Sequence, residues 1–191
     1  MSGHDIVVIG ASAGGVWTLQ QLVQGFPAHL PAAIFIVVHT SPRYPSFLPH
    51  ILQKSGKLPA VHAVDGAEIE PGCLYVAPPD RHLLVKAEHM RVVLGPKENR
   101  FRPAIDPLFR TAALAYGKRV VGVVLSGALD DGTAGLVEIK EQGGVAIAQD
   151  PQEAFFPSMP ESAIRHVGVD HILPIADIAR VLVNLAAQPV Q

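Results

Sequence analysis

Short apolar runs alternate with amphipathic stretches along most of the chain. Ile6 to Ile9 is wholly apolar and too short for a buried helix, so it predicts a strand. Gly10 to Gly15 is a turn. Val16, Leu19, Leu22 and Val23 then recur at helical spacing. Ala33 to Val38 predicts a second strand. His39 to Pro45, with two prolines, predicts a turn, and Phe47 to Lys54 a short helix. Val120 to Leu125, Val145 to Ala148 and His171 to Leu173 are further strand candidates. Between and after them lie helical segments at Leu136 to Glu141, Pro160 to Val167 and Ile175 to Ala187.

The middle of the chain follows another rule. Leu74 to Ala77, His82 to Lys86 and Arg91 to Leu94 are β-type segments, and the last two can pair as a hairpin through Ala87 to Met90. Asp106-Pro107 predicts a helix start, with aspartate as the cap and proline at the first helical position, and the helix ends near Gly117. Strands that are apolar on both faces and alternate with helices imply a parallel sheet covered on both sides. The expected fold is α/β, doubly wound, mostly parallel, with helices on both faces and an inserted antiparallel β-hairpin. No repeat, low-complexity tract or linker divides the chain, so residues 1–191 are expected to form one domain.

Composition narrows the function classes. A net charge of -2 and the absence of a basic run argue against a nucleic-acid binder. The single cysteine, Cys73, rules out a disulfide within the chain and is expected to be a small buried residue. No apolar stretch reaches the roughly 20 residues that span a bilayer. Met1 to Asp5 is polar and offers no signal peptide. A reduced, cytoplasmic setting is expected. The histidines show no metal-ligand spacing, so no metal site is expected.

In an open α/β sheet, sites form beyond the carboxyl ends of the strands. Three segments lie there: Gly10-Ala-Ser-Ala-Gly-Gly15, His39, and Ser126-Gly-Ala-Leu-Asp-Asp-Gly132. Parallel strands deliver all three to one sheet edge, and strand order decides whether they meet. Serine, histidine and aspartate suit nucleophilic acyl transfer: imidazole takes the hydroxyl proton, and the carboxylate orients and stabilises the imidazole. The Ala13 N–H, at a helix N-terminus, would favour an oxyanion. Each residue also has a plainer reading. Ser12 and Asp131 could be helix caps, and His39 a loop histidine. A dinucleotide-binding turn is a competing reading of the Gly10 to Gly15 turn. However, serine replaces the second glycine of that fingerprint, and His39 stands where its acidic residue belongs.

The match to one family is more specific. Ile9-Gly-Ala-Ser-Ala-Gly-Gly15, Val38-His39, Tyr75-Val-Ala-Pro-Pro-Asp-Arg-His82, Arg102-Pro-Ala-Ile-Asp-Pro-Leu-Phe109, Leu125-Ser-Gly-Ala-Leu-Asp-Asp-Gly132, Gln149-Asp-Pro151 and Met159-Pro160 carry it. With these stretches in order, from about Asp5 to Ala186, the chain resembles the catalytic domain of the chemotaxis methylesterase (CheB) family. The resemblance implies Ser12 as nucleophile, His39 as general base and Asp131, not its neighbour Asp130, as third member. It implies cofactor-free demethylation of receptor glutamate methyl esters, with glutamine deamidation possible by the same route. Ala13, Gly14 and Ala128 are the implied oxyanion or substrate contacts. Arg102 and Met159, in the Ser158-Met159-Pro160 loop, are weaker candidates for shaping the groove. Alanine stands at 13 where the family often has threonine, and at 128 where it often has methionine. The implied partners are a methyl-accepting chemotaxis receptor or similar protein, and a separate receiver protein or methyltransferase. No receiver domain precedes the first strand, so regulation in trans or constitutive activity is expected. The competing class is a weakly catalytic scaffold using the same groove.

Overall fold

The computed structural model describes residues 3–41 and 44–190. Seven parallel strands form the central sheet: β1 (Ile6–Ala11), β2 (Ala33–Val38), β3 (Ala60–His62), β4 (Leu74–Val76), β7 (Val120–Val124), β8 (Val145–Gln149) and β9 (His171–Leu173). Their order is β3-β4-β2-β1-β7-β8-β9. A separate antiparallel pair, β5 (His82–Val85) and β6 (Met90–Val93), is the expected hairpin, with Val85 opposite Met90.

The sheet is sandwiched because its strands alternate between two apolar faces. Val7 and Ile9 of β1 pack on α1 (Gly15–Gln24), α2 (Leu48–Ser55) and α6 (Ile175–Ala187) through Leu19, Leu22, Leu52, Ile178 and Leu182. Ile6 and Val8 face α3 (Ile105–Tyr116), α4 (Thr133–Glu141) and α5 (Ser158–His166) through Leu108, Phe109, Leu136, Ile139 and Ala163. Gly10 lets α3 sit close, since a Cβ there would lie 2.4 Å from Ile105. Among the described residues no helix is long and apolar enough to cross a membrane.

Several expectations need correcting. β3 is not among the expected strands: three residues, Ala-Val-His, make no apolar run, and the strand exists only by pairing with β4 at the sheet edge. Asp106 does not cap α3. That helix starts two residues earlier than expected, with Ala104 at its cap position and Ile105 as its first residue. Ser158 and Met159 open α5 rather than forming a loop. Cys73 is half-buried beside the α3-side core rather than enclosed. The turn expected over 39–45 lies partly outside the described residues.

Candidate active site

Strand order brings the three segments together. β2, β1 and β7 are neighbours, with Ile9 level with Ile36 on one side and with Val123 on the other. The chain leaves β1 toward β2 on one side and reaches β7 on the other, so β1 and β7 flank the switch point where crevices open. Ser12 follows β1, His39 follows β2, and Asp131 lies in the turn from β7 to α4.

His39 Nδ1 lies 3.1 Å from Ser12 Oγ, and His39 Nε2 lies 2.7 Å from Asp131 Oδ2. A carboxylate only accepts, so Nε2 carries the hydrogen it donates to Asp131. Nδ1 then keeps a lone pair toward Ser12, which donates its O–H. The imidazole is shielded: its side chain is 4% exposed and that of Asp131 1%. Phe101 stacks flat on His39, with ring centroids 3.6 Å apart and planes 5° from parallel. Asp130 is exposed, whereas Asp131 is buried.

Asp131 is not the cap of α4. Its carboxylate accepts the Ile105 N–H (2.7 Å) and the Asp106 N–H (3.1 Å), at the start of α3. Asn99 donates to it as well, at 2.7 Å. Burial pushes the Asp131 carboxyl up, but the bonds from His39, the two backbone N–H groups and Asn99 outweigh that and hold it below the ordinary aspartate value. An ionised aspartate is what a neighbouring imidazolium requires.

Ser12 sits on a tightly held turn. Its N–H donates to the Ser126 carbonyl (3.0 Å), and its own carbonyl accepts from Gly15 N–H (2.9 Å). It makes no side-chain cap for α1, whose cap position is Gly14 in the left-handed region at φ 74°. Ser126 Oγ donates to the Ala13 carbonyl (2.9 Å) and accepts from Phe156 N–H (3.0 Å). The Ala13 and Gly14 N–H groups meet no acceptor among the described residues. They lie at the N-terminus of α1, where the helix dipole and unpaired donors favour an anion.

The remaining candidates divide. Ala128 is half-exposed beside the site. Met159 is fully buried and cannot touch a substrate, but a Cβ on Gly127 would lie 2.2 Å from its Sδ and 2.9 Å from Ser12 Cβ. Met159 therefore backs the turn that carries Ser12. Gly127→Ala is expected to lower activity about 100-fold by displacing that turn, and stability by about 1–3 kcal/mol through overpacking; a melting curve beside an esterase assay checks both. Arg102 does not reach the three residues. It holds Asp80 through Nε and Nη2 (2.9 and 2.7 Å) and the Gly95 carbonyl through Nη1 (2.6 Å). It thus pins the loop bearing Asn99 and Phe101, as does His82, which donates from Nε2 to the Pro96 carbonyl and accepts the Ala104 N–H at Nδ1.

Sequence reasoning missed Asn99, Phe101, Ser126 and an aromatic pair on the rim. Trp17, 48% exposed, meets Phe155, 61% exposed, edge to face at 5.1 Å. A Cβ on Gly14 would lie 3.0 Å from Phe155 Cβ, which puts this pair beside the Ser12 turn. Among the described residues no group of three or more His, Cys, Asp or Glu could hold a metal ion.

The family model for CheB methylesterase matches residues 7–182. The chain belongs to the CheB methylesterase family. A Leptospira interrogans relative is 38% identical over 183 residues, 95% of each chain. The protein-glutamate methylesterase/protein-glutamine glutaminase of Pyrococcus abyssi is 38% identical over 182 residues, 93% of this chain and 50% of that protein. The chain thus spans half the length of that relative. The crystal structure of the Thermotoga maritima CheB methylesterase catalytic domain superimposes with a TM-score of 0.92 at 35% identity, covering 97% of this chain and 100% of that one. Family membership accounts for the doubly wound sheet with its separate hairpin.

Proposed function

We propose that this chain is a protein-glutamate methylesterase that also deamidates glutamine, using Ser12, His39 and Asp131. The observation that carries the reading is the continuous line from Ser12 Oγ through both imidazole nitrogens to the buried Asp131 carboxylate. His39 Nδ1 takes the Ser12 proton as Oγ attacks the ester carbonyl. Asp131 stabilises the imidazolium without leaving its own bonds. The developing oxyanion lies toward the Ala13 and Gly14 N–H groups. Methanol leaves with the proton from His39, and water activated by His39 releases the glutamate. Replacing methanol by ammonia as leaving group gives deamidation by the same steps. No step needs a cofactor, and the 1–191 chain acts as one unit.

The substrate is a methylated, cytoplasmic sensory receptor or a similar signalling protein, and a receiver protein or methyltransferase is the natural regulatory partner. The exposed Trp17–Phe155 rim suits the apolar side of a receptor helix. Trp17→Ala is expected to raise KM about tenfold, the loss of roughly one aromatic contact, with kcat within threefold; steady-state kinetics on a methylated receptor fragment checks this. The test of the whole reading is methanol release from methylated receptor, with Ser12→Ala as control. Equal release by both proteins would refute the assignment, and binding without turnover by the parent would favour a scaffold.

A further inference from the structure

Asp106 and Asp131 each cap the helix that the other introduces. Asp131 accepts the N–H groups of Ile105 and Asp106 at the start of α3. Asp106 in turn accepts those of Gly132 (3.0 Å) and Gly135 (2.7 Å) at the start of α4. A carboxylate at a helix N-terminus is favoured by the dipole and by the unpaired donors, so each bond set supports the other helix. The Asn99 amide closes the pair: its Nδ2 donates to Asp106 Oδ2 and to Asp131 Oδ1, both at 2.7 Å. A primary amide has two N–H donors, one for each carboxylate. Asp106 is 7% exposed. Nothing in the reaction derived above uses Asp106 or Asn99.

We propose that Asp106 and Asn99 are positioning residues for the Asp131–His39 pair. The crossed helix caps and the bridging amide hold Asp131 against the imidazole, and the Asp106 charge supports the imidazolium formed as Ser12 attacks. The inference rests on the Ser12–His39–Asp131 reading above. Two carboxylates side by side are otherwise costly, and the cost is visible here. Burial and the Asp131 charge push the Asp106 carboxyl above its ordinary value, against the bonds from Gly135, Asn99 and Gly132. The titratable groups facing Asp106 are Asp131 directly and His39 beyond it. Arg110, one turn along α3, is occupied by Glu98. A fold needing only two helix caps could meet that need with neutral side chains such as serine or asparagine.

Asp106→Asn and Asn99→Gly test the role. In Asp106→Asn the new amide nitrogen faces either the α4 backbone N–H groups or the Asn99 amide, so one donor opposes another and the clamp opens. One negative charge beside the dyad is lost, the imidazolium is less favoured, and the acid limb of the pH–rate profile moves to lower pH. We expect kcat to fall tenfold or more with KM within threefold. Asn99 is exposed and sits at φ 50°, a region glycine adopts freely, so Asn99→Gly removes the amide without straining the loop. For this variant we expect kcat at least threefold lower with an unchanged melting point. Folded variants with kcat within twofold of the parent would overturn the proposal. So would an Asp106→Asn loss of rate with the acid limb unmoved, which a purely structural role predicts. Should Asp106→Asn fail to fold, Asn99→Gly decides alone. Labelling by a fluorophosphonate separates this inference from its premise. A parent that does not label at Ser12 sinks the triad reading, whereas a labelled parent with unaffected variants sinks only the positioning role.

Discussion

Asp131→Asn is expected to lower kcat/KM by about 10³–10⁴-fold, the range for losing the carboxylate of such a triad. The reason is visible in what the two oxygens accept. Oδ2 takes the His39 Nε2–H and the Ile105 N–H, and Oδ1 takes the Asp106 N–H and the Asn99 amide. An asparagine side chain can present only one oxygen. Whichever way it turns, its NH₂ faces a backbone N–H at the start of α3. If the NH₂ faces His39, the imidazole must turn its lone pair to that amide and its N–H to Ser12, the wrong tautomer for a base. A buried donor without an acceptor costs about 1–3 kcal/mol, so the melting point should fall by roughly 2–10 °C for a chain of this length.

The pH dependence of that loss follows from the Asp131 shift. Its carboxyl is lowered in the folded state, so it contributes stability that is present above the unfolded value and lost as pH falls through the folded one. The gap in melting point between parent and Asp131→Asn should be widest near neutral pH and should narrow below about pH 4, the ordinary aspartate range. Calorimetry across that range checks it. A gap that widens on acidification would contradict the ionised state assigned to Asp131.

Ser12→Ala should separate chemistry from folding. We expect methanol release from methylated receptor to fall by at least about 10³-fold, while stability stays within about 1 kcal/mol of the parent, the scale of one hydrogen bond. Ser12 Oγ bonds only to His39 Nδ1 among the described residues, and the turn is held by backbone bonds to Ser126 and Gly15 that alanine keeps. A covalent adduct on Ser12 that disappears in Ser12→Ala, at an unchanged melting point, is the expected result. Comparable turnover by the variant would remove Ser12 as nucleophile.

Much of this molecule was legible before folding. β1, β2, β7 and the Val145–Ala148 part of β8 are continuous apolar runs, because a strand buried on both faces has few polar positions to spare. Helices α1 and α6 carry an apolar stripe at helical spacing, and the hairpin strands are short β-type segments joined by a tight turn. Three residues at the carboxyl ends of parallel strands had to emerge on one edge, and this made Ser12, His39 and Asp131 candidates together. Edge strand β3 was invisible because three residues have no period, and only the neighbouring β4 makes them a strand.

What sequence alone could not decide is adjacency across the chain. The order β2-β1-β7 puts Ser12, His39 and Asp131 within bonding distance, and pairing between strands far apart in sequence leaves no local signature. The same holds for the second layer. Asp106 and Asp131 both read as caps of their own helices, because a local rule pairs a side chain with the nearest backbone donors. In the folded chain each carboxylate reaches the other's helix, since α3 and α4 begin side by side at the sheet edge. Asn99 and Phe101 lie in a loop with no periodicity, held by Arg102 and His82. Their place against Asp131 and His39 is a property of the tertiary structure alone. The residues for the chemistry were thus determined by the sequence, and the distances that would let them act together by the packing of strands and helices remote in the chain.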